Sequence, residues 1–253
     1  FGVWNDSSET LFLARDRMGV KPLFIYNFKD GILFGSELKT LLANPIVKPQ
    51  IDSDGLKEIF LLGPGRTGGK GVIKGVRELK PAEYLIYKKD TGPIIKKYWS
   101  LKAYEHTDSV EKTVENIREL IFDAVKRQLV SDVPLCCFLS GGLDSSIIAK
   151  IASMDYAKEG KTLDTYSVNY IDNKKYFQKS LFQPNSDEEY IKIMAQNTGS
   201  NHHEVLLDNI ELAESLDEAV YARDLPGMAD VDSSLLLFCK EIKKDFTVAV
   251  SGE

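Results

Sequence analysis

The chain has 253 residues, 43% of them hydrophobic, and a formal net charge of −6. This length predicts one large or two medium domains, with enough apolar residues for a sizeable core. The acidic balance, with no long Lys/Arg run interleaved with aromatics, argues against a nucleic-acid partner, and no apolar run approaches the roughly 18 residues of a membrane span.

The N-terminal part reads as β-rich. Leu11–Ala14 and Pro22–Tyr26 are predicted strands, and Asp30-Gly31 marks a turn before a third at Ile32–Phe34. Short helices are predicted at Ser36–Leu42, capped by Ser36, and at Asp54–Leu62. Glu83–Tyr87 reads as a further strand, ended by Asp90-Thr91-Gly92-Pro93. Residues 96–107 are charged and aromatic without a clear period and read as a linker. The expected domains are therefore 1–95 and 108–253.

After Asp108 the rhythm changes. Val110, Val114, Ile117, Ile121, Val125 and Leu129 recur at helical spacing, with Asp108 as the expected cap and Glu111 three residues on. Strands are then predicted at Val133–Leu139, Leu163–Val168, Glu204–Leu207 and Phe246–Val250. Helices are predicted at Ser145–Lys158, Asp187–Thr198, Asn209–Ala222 and Asp232–Lys244, the first two closed by Gly160 and Gly199. This alternation predicts an α/β fold with a doubly wound parallel sheet, in which ligands bind beyond the carboxyl ends of the strands. A buried strand is an unusual place for a chain to stop, and the first residue is Phe1 rather than Met. The expectation is a fragment cut at both ends.

Ser140-Gly141-Gly142-Leu143-Asp144-Ser145-Ser146 lies at the first strand-to-helix turn of that sheet. Glycines let a backbone approach a phosphate, and the first N–H groups of a helix point at it. The serine hydroxyls add donors. A carboxylate at Asp144 suits an anion site only where a cation bridges it to the phosphates, and Mg²⁺ is the usual choice. The stretch predicts a site for Mg-pyrophosphate or for the β,γ-phosphates of ATP. It is not a Walker A loop, whose spacing and lysine it lacks.

Other signals carry less. The three cysteines, Cys136, Cys137 and Cys239, form no C-x-x-C pair and read as buried thiols of a cytoplasmic protein rather than as zinc ligands, disulfides or nucleophiles. No secretory signal is visible, so the Asn5-Asp6-Ser7 sequon means little. Gly63-Pro64-Gly65-Arg66-Thr67-Gly68 fits G-x-G-x-x-G but follows a helix, and reads as a loop. His202 and His203, adjacent at a strand start, point to opposite sides and do not chelate. Lys174–Ser180 is a polar and aromatic surface loop after a strand, and a candidate lid only on the family resemblance that follows.

The phosphate loop, together with Ser251-Gly252-Glu253 after a later strand, resembles the glutamine-hydrolysing asparagine synthetases. Ser131-Asp132-Val133-Pro134 and the preceding helix are similar to that family, as is Arg15-Asp16-Arg17-Met18-Gly19-Val20-Lys21-Pro22-Leu23, which resembles a signature late in its glutaminase domain. Phe34–Leu41 resembles the Ser-Glu-x-Lys stretch that follows, and Gly75-Val76-x-x-Leu79-x-Pro81 a family turn in which Ala82 replaces a glycine. The resemblance covers nearly the whole chain, in order.

It implies a sheet of the ATP pyrophosphatase type (PP-loop, adenine nucleotide alpha hydrolase-like), preceded by the β-rich C-terminal part of an N-terminal-nucleophile glutaminase domain. It implies ATP-dependent synthesis of asparagine from aspartate and glutamine-derived ammonia through β-aspartyl-AMP, with release of AMP and pyrophosphate, and a homodimer in the full-length protein. On this resemblance Asp144 holds Mg²⁺, Ser140, Gly141, Gly142, Ser145 and Ser146 form the pyrophosphate site, and Phe138, Leu139 and Val168 line the adenine pocket. Ser251 and Gly252 close the nucleotide site, and Glu253 acts near the reacting groups as a base. No residue here matches the glutaminase nucleophile, a cysteine at the mature N-terminus, so no glutaminase activity is expected of this fragment. The Asp-Glu pair that follows Glu253 in the family is missing as well. Two alternatives share the loop: a relative that adenylates another carboxylate, as β-lactam synthetases do, and a PP-loop tRNA sulfurtransferase. The latter would need an acceptor cysteine on a loop and a basic RNA surface, and neither is visible.

Overall fold

The computed structural model describes residues 1–177 and 186–252. The chain divides into two compact units, and the division does not follow sequence order. Residues Phe1–Glu105 and Val220–Ala229 make the first, and His106–Ala219 with the residues from Asp230 onward make the second.

The first unit begins with strands β1 (Gly2–Asn5), β2 (Thr10–Ala14), β3 (Phe24–Phe28) and β4 (Gly31–Gly35). Helices α1 (Leu38–Leu42) and α2 (Ser53–Leu62) follow, then β5 (Val76–Glu78), β6 (Glu83–Lys88) and β7 (Gly92–Lys97). Two antiparallel sheets result, in the orders β1-β2-β6-β7 and β4-β3-β5. Alternation along the strands sorts their residues between two cores. Leu11, Leu13, Leu23, Ile25, Leu79 and Leu85 form one cluster, with Leu13 paired to Leu85 across β2 and β6. Phe24 and Val76 join Leu38 and Leu41 of α1 in the other.

The Arg15–Lys21 loop is an internal brace. The Arg15 guanidinium, 9% exposed, donates to the carbonyls of Gly19, Lys21 and Leu79 and pairs with Glu78 at 3.1 Å. The Asp16 carboxylate accepts from the N–H groups of Val20 and Lys21. Gly19 has φ +72°, and a Cβ there would stand 2.6 Å from Pro81 Cγ.

Helix α1 departs from expectation. Ser36 does not cap it; Glu37 is the N-cap residue and makes no side-chain cap bond. The cap comes from Asp224, whose Oδ2 accepts from Leu38 N at 2.6 Å and Oδ1 from Lys39 N at 3.2 Å. Asp224 has φ +70°, a left-handed backbone that costs a non-glycine residue about 1–2 kcal/mol. Strand β7 is a second departure, for it carries Pro93 and runs to Lys97, into the expected linker. Among the described residues it pairs only with β6, and an edge strand tolerates proline.

In the second unit α3 (Val110–Gln128) precedes β8 (Leu135–Phe138), α4 (Leu143–Lys158), β9 (Asp164–Tyr170), α5 (Asn173–Tyr176), α6 (Asp187–Thr198) and β10 (Asn201–Leu207). Then come α7 (Asn209–Glu214), α8 (Leu216–Arg223), α9 (Ala229–Ile242) and β11 (Val248–Val250). Ser109, not Asp108, caps α3 by accepting from Lys112 N at 3.2 Å. The helix expected over Asn209–Ala222 breaks at Ser215, which is buried and donates its hydroxyl back to Leu212 O.

The four strands of this unit are parallel, in the order β10-β9-β8-β11. The chain builds outward from β8 to β10 and then returns to β8's other side, so the sheet is doubly wound with its switch point at β8. Leu135, Cys137 and Leu139 pack with Ala149, Ala152 and Ile191 on one face, and Cys136 packs with Tyr166, Leu212, Phe238 and Ile242 on the other. No helix among the described residues is long and apolar enough to cross a membrane.

The cysteines follow from this alternation. Cys136 and Cys137 are both fully buried, and burial pushes each thiol up to about 12. Cys239 is exposed on α9. At pH 8, N-ethylmaleimide should label one cysteine of the native chain, Cys239, and all three after denaturation. Rapid native labelling of Cys136 or Cys137, read by peptide mass spectrometry, would contradict this packing.

Candidate functional site

At the carboxyl ends of β8, β9 and β11 lies a cavity of about 410 Å³. Ser140, Gly142, Asp144, Ser145, Asp187, Ser251 and Gly252 line its polar side, and Phe138, Val168, Val231, Leu235 and Phe238 are among the residues of its apolar side.

The polar side is made by the turn that leaves β8. Leu139 N still donates to Tyr166 O of β9 at 2.8 Å, and Ser140 then turns away from the sheet. The Ser145 hydroxyl, on a residue 6% exposed, knits this turn together. It accepts from Ser140 N at 3.2 Å, lies 3.0 Å from Ser140 Oγ, and donates to Gly142 O at 3.2 Å. Gly142 is the N-cap residue of α4 and offers no side chain to the first-turn N–H groups. Those groups give the cavity a positive edge that suits an anion. Asp144, in the same first turn, is exposed and lines the cavity.

The glycines of the turn have separate reasons. Gly141 has φ +78°, and a Cβ there would meet Asp187 O and Tyr190 Cβ at 3.0 Å each, so this residue lets the turn lie against the start of α6. At Gly252, after β11, a Cβ would meet Asp144 Cβ at 2.9 Å and Ser145 N at 3.1 Å. That closeness brings Ser251 and Gly252 onto the start of α4.

On the apolar side the Phe138 and Phe238 rings pack at a tilt of 60°, centres 4.9 Å apart, and Tyr170 Oη lies 2.9 Å from Ser234 Oγ. Val231, Ser234, Leu235 and Phe238 come from α9 and were not singled out from the sequence, nor were Asp187 and Tyr170. Their helical spacing, three, four and seven residues after Val231, marks one face of a helix, but not which ligand or strand that face meets.

Of the residues expected at the site, Phe138, Leu139, Ser140, Gly142, Asp144, Ser145, Val168, Ser251 and Gly252 line the cavity. Gly141 and Ser146 belong to the turn and the first turn of α4 but do not line it. Glu253 lies outside the described residues, as does the end of the candidate lid, 178–180.

The histidines do point apart. His202 lies within hydrogen-bond distance of Thr165 Oγ1 (3.0 Å) and Ser167 Oγ (3.1 Å), and burial holds its pKa below the ordinary value. His203 bonds Asp164 at 2.7 Å and stacks on Tyr166. Among the described residues no group of three or more His, Cys, Asp or Glu could hold a metal ion. The Gly63–Gly68 stretch follows α2 and is fastened back to it by Thr67 N donating to Glu58 Oε2 at 2.7 Å.

The two glycines of the turn should respond differently to a methyl group. Gly141→Ala faces both a left-handed backbone and a full contact with α6, and should cost about 1–3 kcal/mol in denaturant unfolding. Gly142→Ala, with only Ser140 Oγ at 3.4 Å, should cost well under that. Equal losses would contradict the geometry.

A model of the family described as "Asparagine synthase" matches residues 116–253, and one described as "Glutamine amidotransferase domain" matches residues 1–99. The chain is 54% identical over its whole length to a Bacillus subtilis (strain 168) protein named asparagine synthetase (glutamine-hydrolyzing) 3, of which the match covers 41%. It is 30% identical over its whole length to a putative asparagine synthetase (glutamine-hydrolyzing) 2 of Methanocaldococcus jannaschii, covering 47% of that protein. The same identity relates all of it to 38% of the amidase chyE of Penicillium rubens. The chain thus spans less than half the length of these relatives. The parallel sheet lies within the part matched by the asparagine synthase model, the residues before it match the glutamine amidotransferase model, and the chain belongs to the asparagine synthase family.

Proposed function

We propose that the chain supplies the carboxylate-adenylating site of an ATP-dependent asparagine synthetase that uses aspartate and glutamine-derived ammonia. The observation that carries this reading is one cavity whose polar wall is an uncapped helix N-terminus with a carboxylate, Asp144, and whose other wall is apolar. A nucleoside triphosphate has those two halves. Phe138, Leu139 and Val168 receive adenine, and Ser140, Gly142 and the first-turn N–H groups of α4 receive phosphate oxygens, with Ser146 beside them. Ser145 shapes the turn, because its hydroxyl is engaged with Ser140 and Gly142. Ser251 and Gly252 close the site.

In the proposed reaction an oxygen of the aspartate β-carboxylate bonds to the α-phosphorus of ATP. The bond from that phosphorus to the bridging oxygen breaks, pyrophosphate leaves, and β-aspartyl-AMP remains. Donors fixed in the turn are worth most where negative charge grows, on the leaving pyrophosphate. Ammonia then attacks the acyl carbon, AMP leaves, and the surplus proton passes to a base, the role proposed for Glu253.

Magnesium is the metal this chemistry implies. Mg²⁺ takes one or two carboxylates together with substrate phosphates and water rather than an all-protein cage. The donor set here fits, with Asp144 to hold the ion and Asp187 lining the same cavity. When bound, the metal withdraws charge from the phosphate oxygens.

Exchange of labelled pyrophosphate into ATP by the full-length protein, with Mg²⁺, tests the reading. Exchange should require aspartate, and Asp144→Asn should lower it about 10²–10³-fold. Exchange supported only by a different carboxylic acid would refute aspartate as acyl donor, and no exchange with any acid would refute adenylation.

A further inference from the structure

At the carboxyl end of β9 the Asn169 side chain ties together four elements of the second unit. Its Nδ2 donates to Glu188 Oε1 of α6 and to Glu204 Oε1 of β10, each at 3.0 Å. Its Oδ1 accepts from Tyr170 N of β9 at 2.9 Å and from Asn173 Nδ2 of α5 at 3.1 Å. Ionised carboxylates only accept, so two of them on one side of the amide dictate which way it faces, and both of its N–H groups are used.

Helix α6 has one buried residue, Ile191, and its first turn has none: Asp187 and Glu189 are exposed and Glu188 is half-buried. The place of that turn is therefore set by polar bonds more than by burial. The same turn borders the cavity in two ways. Asp187 lines it. Gly141, in the turn after β8, lies so near that a Cβ on it would stand 3.0 Å from Asp187 O and 3.2 Å from Ile191 N.

We propose that Asn169 is a positioning residue for the polar side of the cavity: by holding Glu188 against the ends of β9 and β10 it fixes the first turn of α6, and with it Asp187 and the surface on which Gly141 rests. The effect on nucleotide binding rests on the proposed function; the ordering of α6 does not. The amide acts through the helix turn it holds and touches no reacting atom.

Hydrogen exchange in the full-length protein, read at peptides covering 187–194, 140–146 and 233–242, tests the clasp, together with binding of ATP in the presence of Mg²⁺. Asn169→Asp sets a third carboxylate against the two that the amide serves. It should speed exchange in 187–194 about tenfold and in 140–146 by a smaller factor, leave 233–242 unchanged, and weaken ATP binding about three- to tenfold. The triple variant Asn169→Asp, Glu188→Gln, Glu204→Gln restores the amide–carboxylate bonds with donor and acceptor exchanged. It should recover most of both effects, which a role of residue 169 in packing alone would not allow. Glu188→Ala cuts only the arm to α6 and should reproduce the Asn169→Asp changes more fully than Glu204→Ala, which cuts only the arm to β10. That pair serves as the test if the aspartate variant does not fold. In a wild type that binds ATP, looser 187–194 with unchanged ATP binding, equal loosening of all three regions, or no recovery in the triple variant would overturn the proposal. If the wild type binds no ATP while 187–194 and 140–146 loosen together and recover in the triple variant, the positioning by α6 stands and the nucleotide reading falls.

Discussion

The turn after β8 is held by one buried hydroxyl. Ser145 Oγ takes the proton of Ser140 N and gives its own to Gly142 O, so the chain leaving the sheet satisfies its backbone internally within five residues. Losing such a bond in the interior costs about 1–3 kcal/mol because the remaining partner is left unpaired. With the turn closed, Gly142 can end as the N-cap of α4, and it puts no capping side chain of its own over the first-turn N–H groups at the cavity. Ser251 and Gly252 then meet this turn from β11 with no room for a side chain at Gly252. Each part of the polar wall is placed against that one closed turn.

The sheet beneath supplies the rest by alternation. Cys136 and Cys137 face opposite layers, so the two layers of helices are both seated on the strand that carries the turn. Thr165 and Ser167 alternate with Tyr166 and Val168 along β9. The hydroxyls meet His202, while Tyr166 and Val168 face the layer of Phe138 and Phe238, where the apolar side of the cavity opens. One strand therefore carries a polar network on one side and part of the cavity's apolar lining on the other, which is what a period of two allows.

How much of this could be read beforehand depended on range. The strands of the parallel sheet and helix α6 with its Gly199 stop follow from local periodicity and local caps, and they stand close to where the residues put them. The turn after β8 could be singled out as a candidate phosphate site because glycines, hydroxyls and a carboxylate fall within seven consecutive positions. Features set by distant partners were not. Ser36 is a sound cap by local rules, yet Asp224 takes that place from 186 residues away in sequence. Val231 to Phe238 read simply as a helix face, because what a face packs on is not written in its own spacing. Strand β1 shows no buried residue and β7 contains a proline, so neither presents the alternation by which strands are recognised.

The Val220–Ala229 segment also separates two ideas that usually coincide, a structural unit and a continuous stretch of chain. A cleavage or a gene split within 100–107 looks harmless by sequence, since it falls between the two family matches. It would nevertheless strand part of the first unit on the wrong product. The N-terminal piece would keep α1 without the carboxylate on its first N–H groups and would expose the apolar surface that Leu225 covers. The C-terminal piece would carry an aspartate held in a disfavoured backbone with nothing left to hold it. A cut there therefore divides the first unit instead of separating it from the second.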